Sequence, residues 1–451
     1  MNRTMNWRKH IAYPLLCARS GSKELKYLRW LNKTQHWSHK KLVAYKIDKL
    51  RVLLASAIER IPYYKNAYQG MEQRIQDFAS LNDLSAFPLL SKKQVQENFD
   101  VLRDPTIDSE QICQDQTGGS TGVPTRFLYT NARREFRSAA ALRHDSWAGL
   151  EVGDPLAVIW GARKDFLPVK TIKAKIWSFL AQNQIVLDSS SITDEVLERF
   201  VTEMNRFRPE HILAYAQSLE LFAKYLKDTG ADIPKLDSII TSAELLTAER
   251  RALIEETFHA PVFNRYGSRE TSVIASECEH HTMHIHDEGI HVECIKEDGK
   301  PCAYGEEGEI VITDLLNHAF PLIRYRIGDI GIPLENHCPC GRALSVLDIT
   351  SGRTSDFIIT PKNRKVSGAA ITAFVCTKID GLHRVQFYQT QTDKVTVKVI
   401  PNNRFTDETV KAFDHRIRAF LDAIEPEIEI VDEIPVPESG KHQFVINELL
   451  R

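Results

Sequence analysis

Apolar residues recur at three- and four-residue intervals in the early part of the chain, the spacing that places side chains on one face of an α-helix. From residue 24 to residue 61 this pattern predicts a largely helical region in more than one piece. Pro62 follows directly, and a proline ends a helix because it lacks the backbone N–H and clashes with the preceding turn. The apolar positions that carry the pattern are Leu42, Ile47, Leu50, Leu53, Leu54 and Ile58.

Short apolar runs alternate with helical segments in the middle of the chain. The strand-like runs lie at 127–130, 155–160, 184–188, 211–216 and 237–244. The helical patterns lie at 131–147, 193–207, 218–227 and 247–258. Because such alternation arises when helices cover the faces of a sheet, it predicts mostly parallel sheets covered by helices.

Beyond residue 263 the pattern changes to strands, at 289–295, 308–314 and 346–353. The last hundred residues mix strands at 384–390, 394–400 and 427–432 with helices at 369–378 and 407–424. We therefore expect an α/β fold class in two domains. A large N-terminal domain, 1–352, would hold helix-covered, mostly parallel sheets and a β-rich subdomain, and a small α+β C-terminal domain would span 353–451.

The composition is that of an ordinary globular protein, with 43% hydrophobic and 26% charged residues among 451. No apolar run approaches the ~20 residues that a membrane-spanning helix needs. The apolar stretch at 11–18 is short and contains Pro14, which argues against a signal peptide, so we expect a cytoplasmic protein. A net charge of −2 argues against a general nucleic-acid binder.

The charge is unevenly distributed, because residues 1–51 carry many Lys and Arg but only Glu24 and Asp48 as acids. The simplest interpretation is a basic, solvated helix face. The alternative is contact with a membrane surface or a partner, in which Trp30 and Trp37 would be the interfacial anchors.

A glycine-rich stretch, QTGGSTGVP at 116–124, is the first candidate for chemistry. Glycine lets the main chain approach an anion closely, and hydroxyl and amide groups donate hydrogen bonds to phosphate oxygens. No lysine follows the last glycine, which argues against a P-loop ATPase. Taken alone, the stretch is also compatible with an ordinary turn.

Four further motifs follow in order: YGSRE at 266–270, RYRIGD at 324–329, SGRTSD at 351–356 and ESGK at 438–441. With the glycine-rich stretch, this ordered set resembles the adenylate-forming superfamily of acyl-CoA synthetases and ligases. The similarity is greatest to the phenylacetate-CoA-ligase-like branch, which includes CapK-type capsule proteins and deazaflavin-coenzyme adenylyltransferases. IPYYKNAY at 61–68 and LSKKQVQENF at 90–99 also resemble that branch, so the similarity spans nearly the whole chain.

The resemblance implies a site for ATP and Mg²⁺. Glu270 matches the residue that helps to bind magnesium, Tyr266 the aromatic that packs on adenine, and Asp329 the acid that accepts hydrogen bonds from the ribose. Arg353 matches a second contact near ribose and phosphate, and Lys441 matches the lysine that bridges the substrate carboxylate and the α-phosphate. The other implied positions hold the β- and γ-phosphates, line the adenine and acyl pocket or belong to YGSRE: Thr117, Gly118, Gly119, Ser120, Thr121, Gly122, Ser242, Ala243, Glu244 and Gly267.

Each of these positions alone also has a simpler interpretation. YGSRE could be a surface turn with a solvated Arg–Glu pair, and Asp329 could be an ordinary turn aspartate. Glu244 could be a helix-capping acid, Arg353 part of a structural ion pair, and Lys441 a solvent-facing lysine.

In relatives the small C-terminal domain is mobile and rotates about a hinge just after the Gly-Arg pair. The usual hinge acid is here Ser355, with Asp356 one place later, which leaves the hinge position open. KVSGAAI at 365–371 resembles the segment that lines a pantetheine tunnel, so the thiol of CoA or of a phosphopantetheine-bearing carrier protein is the implied acceptor. A second departure is Arg269, where the family pattern has threonine.

Five of the eight cysteines fall between residues 278 and 340, and CPCGR at 338–342 places two thiols two residues apart in a glycine turn. The segment 277–288 adds Cys278 and four histidines, and a Cys₃His set is a standard closed zinc site. Some members of the branch carry such a structural zinc site. The residues that resemble its ligands are Cys278, His284, Cys338 and Cys340. Alternative ligands are His281, His286, Cys294 and Cys302; the remaining possibility is free thiols in a histidine-rich loop.

The implied function is that of an AMP-forming acid–thiol ligase, which activates a carboxylic acid to an acyl-adenylate, releases pyrophosphate and passes the acyl group to a thiol. One alternative is an adenylyltransferase of the deazaflavin-coenzyme type, and another is an inactive member with a scaffold or regulatory role. His144, Trp160 and Tyr215 would indicate an aromatic or polar-aromatic acid if they line the acyl pocket, and otherwise they belong to the core.

Overall fold

The computed structural model describes residues 6–117, 125–161, 183–189, 192–349, 357–362, 364–368, 371, 375–376, 379–422, 424–435 and 443–450. Within these ranges the chain forms a helical N-terminal region, a large central sheet and a small C-terminal region.

The described N-terminal region contains the helices α1 (Tyr13–Ser20), α2 (Glu24–Thr34), α3 (His39–Arg60), α4 (Pro62–Ala67), α5 (Glu72–Gln76) and α6 (Lys92–Glu97). A π-helical turn, Arg8–Ala12, precedes α1. Ser38 directly precedes α3, and its hydroxyl accepts a hydrogen bond from the Lys41 N–H and so caps the helix. Pro62 ends α3, as predicted, but it also starts α4, because its missing N–H has no partner in a first helical turn anyway.

A hairpin of β1 (Ile112–Gln116) and β2 (Arg126–Thr130) flanks the glycine-rich stretch. Helix α7 (Asn131–Trp147) follows β2 directly, because the Thr130 hydroxyl accepts a hydrogen bond from the Arg133 N–H. The Arg133 side chain forms a buried ion pair with Asp314 at 2.9 Å. The hairpin and α7 are therefore anchored to the central sheet.

One half of the central 11-stranded sheet is parallel. Its strands are β3 (Leu156–Trp160), β4 (Gln184–Asp188), β5 (His211–Tyr215), β6 (Ser238–Ser242) and β7 (Val262–Ser268), in the order β4-β3-β5-β6-β7. The described connecting helices are α8 (Asp194–Phe207), α9 (Ala216–Thr229) and α10 (Ala248–Phe258). All residues of β6 are buried, as expected for a parallel strand that is covered on both faces.

The same sheet continues with antiparallel strands beyond β7. They are β8 (Ser272–Glu277), β9 (Met283–Ile285), β10 (Ile290–Ile295), β11 (Gly308–Asp314), β12 (Tyr325–Leu334) and β13 (Val346–Asp348), in the order β8-β9-β13-β12-β11-β10. The predicted α/β class is confirmed. The structure adds that the parallel strands and the β-rich part form one sheet, joined by the antiparallel pairing of β7 with β8.

The N-terminal helices and the antiparallel half share an apolar core that includes Leu54, Tyr64, Ile310, Phe320 and Tyr325. The buried Tyr64 hydroxyl donates a hydrogen bond to the carbonyl oxygen of Pro321 at 2.7 Å. Since burial of one large apolar side chain contributes about 1.5–3 kcal/mol, these helices are integral to the fold.

The C-terminal region has its own sheets and core. Strand β14 (Phe357–Ile359) pairs with β15 (Lys365–Ser367). A second sheet has the order β18-β17-β16-β19, from β16 (Leu382–Gln389), β17 (Lys394–Pro401), β18 (Glu425–Ile430) and β19 (Val445–Asn447). Helix α11 (Asp407–Phe420) packs on it and ends four residues before the predicted end, where Leu421 departs from helical geometry with a φ of −107° and a ψ of 39°. Most of the predicted helix at 369–378 lies outside the described residues.

Candidate functional site

The carboxyl ends of parallel strands form the edge at which ligands bind in open α/β sheets. Here β3, β5 and β6 end at Trp160, Tyr215 and Ser242, and the Trp160 and Tyr215 ring centroids lie 4.3 Å apart. His144 is instead fully buried, and its Nδ1 accepts a hydrogen bond from Arg265 Nε at 2.9 Å. Burial lowers the pKa of His144 well below its usual value, and the Arg265 charge lowers it further. His144 therefore belongs to the core.

The chain turns sharply after β6, where Ala243 has a φ of +71°. Glu244 Oε2 then accepts a hydrogen bond from the backbone N–H of Gln217 at 2.8 Å, in the first turn of α9. A carboxylate is favourable at a helix N-terminus, so Glu244 caps the neighbouring helix. Burial lowers the pKa of Arg384 in β16, while the Glu244 carboxylate raises it.

Tyr266 and Asp329 meet where the two halves of the sheet join. The Tyr266 hydroxyl donates a hydrogen bond to Asp329 Oδ2 at 2.7 Å. Gly267 follows at a register shift between β7 and β8, where a Cβ would lie 2.3 Å from the carbonyl oxygen of Ser272. Only glycine fits this close backbone approach, which sets the position of Tyr266.

Glu270 lies in the turn between β7 and β8 and is buried. Its Oε1 accepts a hydrogen bond from the Tyr325 hydroxyl at 3.1 Å. The preceding Arg269 lies 3.8 Å from Asp115 of β1, and its carbonyl oxygen accepts a hydrogen bond from Arg137 of α7 at 2.7 Å. The turn is therefore attached to the β1–β2 hairpin and to α7, and a solvated Arg–Glu pair does not form.

The described ends of the glycine-rich stretch are paired with each other. The Thr117 N–H donates to the Thr125 carbonyl at 3.0 Å, and the Thr125 N–H donates to Thr117 Oγ1 at 2.9 Å. Gln96 Nε2 donates to Thr125 Oγ1 at 3.1 Å, which attaches the stretch to the N-terminal helices. The following predicted positions lie outside the described residues: Gly118, Gly119, Ser120, Thr121, Gly122, Arg353, Ser355, Asp356 and Lys441.

Four predicted metal ligands come together beside β8, β9 and the loop before β13. The ligand atoms of Cys278, His284, Cys338 and Cys340 all lie within 4.8 Å of one another, and we call this group the Cys/His site. The sulfurs of Cys278 and Cys338 are 3.5 Å apart, and Cys340 Sγ is 3.3 Å from His284 Nε2. The sulfur separation is far longer than the ~2.05 Å of a disulfide. The three cysteines are free.

The donor set of the Cys/His site fits Zn²⁺, which is commonly held by three thiolates and one imidazole in tetrahedral geometry. His284 Nδ1 lies 3.4 Å from the Leu344 carbonyl oxygen, so a proton on Nδ1 leaves Nε2 to face the cysteines. Burial lowers the pKa of His284 to about 4, which keeps the imidazole neutral as a metal ligand must be.

The other two histidines considered as ligands have different partners. His281 lies 3.6 Å from Glu277, and His286 stacks on Trp147 with ring centroids 5.7 Å apart. Among the described residues, His284 is the histidine that faces the three cysteines.

The alternative cysteine ligands also lie elsewhere. The Cys302 N–H donates to the Cys294 carbonyl oxygen at 2.8 Å. Cys294 is buried, and burial raises the pKa of its thiol to about 12, as expected for a cysteine that faces a core.

The Cys/His site also joins the N-terminal helices to the sheet. Gln35, directly after α2, accepts hydrogen bonds from Trp147 Nε1 at 3.0 Å and from Arg342 Nε at 3.2 Å. The Arg342 guanidinium lies 4.6 Å from the centroid of the Trp147 ring. Nearby, Arg143 and Glu288 form a fully buried ion pair at 2.7 Å. An ion at the Cys/His site would therefore fix the loop against which α2 is held.

The chain is similar to known proteins over most of its length. Residues 358–448 match the family described as the CapK C-terminal domain. Protein CapK of Staphylococcus aureus is 27% identical over 382 residues, which are 82% of this chain and 81% of CapK. The phenylacetate-coenzyme A ligase of Thermus thermophilus is 25% identical over 410 residues, 86% of this chain and 90% of that ligase. These matches support the similarity of the chain to the CapK-like and phenylacetate-CoA-ligase-like branch of the adenylate-forming superfamily.

A solved structure extends the similarity of this CapK-like chain to three dimensions. The crystal structure of 2-hydroxyisobutyryl-CoA ligase in the postadenylation state aligns with this chain at a TM-score of 0.73 and 18% sequence identity. The alignment covers 92% of this chain and 91% of the ligase chain. At 18% identity this similarity is evidence for the fold alone, and it confirms the predicted fold class.

Sequence reasoning missed the partners that position the predicted residues of this CapK-like chain. Tyr325 bonds Glu270, and Arg137 and Asp115 hold the Arg269 turn. One signal was present: Tyr325 and Asp329 are four residues apart in one motif, and an even spacing on a strand places side chains on the same face. The YGSRE and RYRIGD motifs thus face each other through two hydrogen bonds.

Proposed function

We propose that the chain is an AMP-forming acid–thiol ligase, which activates a carboxylic acid with ATP and transfers the acyl group to CoA or to a carrier-protein thiol. The observation that carries the proposal is the double contact between YGSRE and RYRIGD, Tyr266 with Asp329 and Glu270 with Tyr325, beside the edge where the parallel strands end. Relatives named phenylacetate-coenzyme A ligase and a neighbour crystallised with 2-HIB-AMP and CoA support the same reaction class.

Tyr266 and Asp329 would bind the nucleoside. The Tyr266 ring would pack on adenine, and the Asp329 carboxylate, an acceptor without donors, would suit two adjacent ribose hydroxyls. Because the two side chains are hydrogen-bonded at 2.7 Å, ring and carboxylate would recognise base and ribose as one rigid unit. Ser242, Ala243 and Glu244 would line the adjoining pocket at the end of β6.

Thr117 and the glycine-rich stretch would hold the β- and γ-phosphates through hydroxyl and backbone N–H groups. Glu270 would hold Mg²⁺, since carboxylate oxygens are the protein ligands that this ion prefers. The Tyr325 hydroxyl orients the Glu270 carboxylate through Oε1. When bound, the Mg²⁺ ion would neutralise part of the negative charge of the triphosphate.

In the first step, a carboxylate oxygen of the acid would attack the α-phosphorus of ATP, while the bond from that phosphorus to the pyrophosphate oxygen breaks. The Lys441 ammonium, with three donors on a flexible stem, would bridge the attacking carboxylate and the α-phosphate. In the second step, the thiolate of the acceptor would attack the acyl carbon, and AMP would leave with the electron pair of the acyl C–O bond. Positioning and charge neutralisation supply most of the catalysis in this scheme.

Movement of the C-terminal region between the two steps would cost little at one described contact. Arg404 pairs with Asp228, at the end of α9, at 3.0 Å, and both side chains are more than half exposed. An exposed ion pair of this kind is worth about 0–1 kcal/mol. The C-terminal region can therefore leave α9 without breaking a strong interaction at this point.

We also propose that the Cys/His site binds a structural zinc ion. With four protein ligands the ion has no open position for water or substrate, which distinguishes a structural from a catalytic zinc site. The ligands would be Cys278, His284, Cys338 and Cys340.

The test of the proposed reaction is ATP–pyrophosphate exchange with a panel of carboxylic acids that spans aryl, arylacetic, short hydroxy and long-chain acids. The expected result is exchange that depends on one class of acid and on Mg²⁺, followed by AMP release and loss of free thiol when CoA or a carrier protein is added. Asp329→Ala serves as the matched inactive control.

The same assay separates the alternatives. Incorporation of AMP into an acceptor without a carboxylate would indicate an adenylyltransferase, and absence of exchange with every acid would indicate a scaffold. Either result would overturn the ligase proposal.

A further inference from the structure

The N-terminal segment presents three large apolar side chains to solvent. Trp7, Ile11 and Leu15 are 44%, 47% and 64% exposed. Their four-residue spacing, from the π-helical turn into α1, places them along one side of the segment, and we call them the N-terminal stripe. The opposite side is buried and includes Tyr13 and Cys17. The segment is thus anchored to the protein by one face and displays an apolar row on the other.

The chain around the N-terminal stripe is rich in basic residues, although Lys9 within it pairs with Glu151 at 3.0 Å. Residues 1–51 hold thirteen Lys and Arg residues against two acids, Glu24 and Asp48. Glu24 is buried and bonded to the Tyr13 hydroxyl, so it adds little negative charge to the surface. The exposed cations of α2 and the residues just before it are Arg19, Lys23, Lys26, Arg29 and Lys33. An apolar row followed along the chain by exposed cations, which we call its basic border, is the pattern of a helix that lies in the headgroup region of an anionic bilayer.

The tryptophans that the sequence suggested as membrane anchors have another role. Trp30 and Trp37 are half-buried and pack edge-to-face at 6.0 Å, and both contact Tyr45. The Lys41 ammonium lies 4.1 Å from the centroid of the Trp37 ring. These rings stabilise the packing of α2 against α3, and they are not part of the N-terminal stripe.

We propose that the N-terminal stripe and its basic border dock the protein on the surface of an anionic lipid bilayer. A second copy of the chain is disfavoured as the occupant, because a two-fold contact would bring two basic regions together. An acidic protein would match the charge of this region. However, such a protein would also need a groove that fits the row of side chains on the convex helix surface, whereas lipid headgroups can rearrange around the row. Of the described helices, none is long and apolar enough to cross a membrane. Docking would therefore leave the helix in the plane of the surface.

The test is co-sedimentation of the full chain with vesicles. The vesicles contain either equal parts of phosphatidylglycerol and phosphatidylcholine or phosphatidylcholine alone. We expect the affinity for anionic vesicles to be at least about tenfold higher than the affinity for neutral vesicles. The affinity for anionic vesicles should also fall by at least about tenfold between 0.1 M and 0.5 M NaCl, because salt screens the cations.

A triple variant, Trp7→Ser with Ile11→Ser and Leu15→Ser, should lose about tenfold or more in binding to anionic vesicles, because burial of the apolar row contributes to the affinity. The matched control is Val52→Ser with Tyr304→Ser and Ile430→Ser, which removes three other side chains that are 57%, 64% and 50% exposed. It should bind like the wild type. Circular dichroism and the thermal midpoint check that both variants fold.

Equal binding by the two triple variants, or no binding of the wild type to anionic vesicles, would overturn the proposal. A dimer that dissociates in the stripe variant, without vesicle binding, would assign the surface to a second copy. Binding to an acidic carrier protein that the stripe variant loses, again without vesicle binding, would assign it to that partner. These outcomes do not depend on the proposed ligase activity, because vesicle binding is measured without substrates.

Discussion

The Cys/His site and the predicted nucleotide site, which comprises Thr117, Tyr266, Glu270, Asp329 and Lys441, take their side chains from different kinds of structure. All four ligands of the Cys/His site come from the antiparallel half of the sheet and the loop before β13, and their atoms already lie within 4.8 Å of one another. The predicted nucleotide site would combine the β1–β2 hairpin, the end of β7 with the turn that follows it, the middle of β12, and a lysine of the C-terminal region. The fold alone brings the first set of side chains together, whereas the second would be complete only when the C-terminal region supplies its lysine.

The largest effect should come from Lys441→Ala, which removes the lysine that the C-terminal region would supply to the nucleotide site. We expect pyrophosphate exchange to fall at least about 10²–10³-fold, as when a charge-stabilising donor is removed from an active site. The thermal midpoint should not change. Thioester formation from a supplied acyl-adenylate should be less affected than adenylate formation, and Lys441→Arg tests whether charge alone suffices. Normal exchange in Lys441→Ala would refute the assigned role.

Removal of a ligand from the Cys/His site should lower the thermal stability, which Lys441→Ala should leave unchanged. In Cys338→Ser we expect bound zinc, measured by inductively coupled plasma mass spectrometry, to fall from about one equivalent to near zero, since zinc prefers a complete thiolate and imidazole set. The thermal midpoint should fall by about 4 °C or more.

The matched control for Cys338→Ser is Cys113→Ser, which replaces another half-buried free cysteine outside the site. It should retain zinc and stability. If Cys338→Ser kept its full zinc content, the Cys/His site would not be the zinc site. If it lost exchange activity while remaining as stable as the wild type, a purely structural role would be excluded.

A smaller effect should come from Asp329→Asn, which keeps the shape of the side chain but removes its charge. We expect KM for ATP to rise about 10- to 100-fold, as for loss of hydrogen bonds to a charged group. Tyr266→Phe, which removes only the hydroxyl that donates to Asp329, should raise KM about fivefold. Steady-state kinetics with varied ATP measure both. A larger effect in Tyr266→Phe than in Asp329→Asn would contradict a direct ribose contact by Asp329.

The smallest effect should come from Arg269→Thr, which restores the residue of the family pattern. Arg269 lies 3.8 Å from Asp115, and both side chains are partly exposed, so the pair should contribute about 0–1 kcal/mol. We expect KM for ATP to stay within about threefold of the wild type. A rise of tenfold or more would show that Arg269 contacts the triphosphate and belongs to the nucleotide site.

Local features of the fold were predictable because neighbouring residues determine them. Helix α7, Asn131–Trp147, begins and ends at the predicted residues, since Thr130 caps it and its apolar residues keep helical spacing. Strands β4 and β11 also match their predicted ranges. The continuity of the parallel and antiparallel halves was not predictable, because periodicity reports which face of a strand is buried and not which strand lies beside it.

For the sites, too, local motifs were predictable, whereas contacts between residues that are distant in sequence were not. The resemblance identified the four members of the Cys/His site, and the structure brings them together. The contact of Glu270 with Tyr325 and the capping of α9 by Glu244 join residues that are distant in sequence, so no local pattern reports them. The roles assigned to Arg353 and Lys441 stay predictions.

The attachment of α2 through Gln35 has a consequence for synthesis of the chain. One of its hydrogen-bond donors, Arg342, is 307 residues away. A ribosome therefore finishes α2 and α3 long before it adds the residues that hold them, and the Arg143 side chain must also await Glu288. Non-local contacts of this kind form late and leave apolar helices exposed meanwhile. The N-terminal helices are synthesised first. They should nevertheless be among the last helices to pack in their native positions against the large sheet.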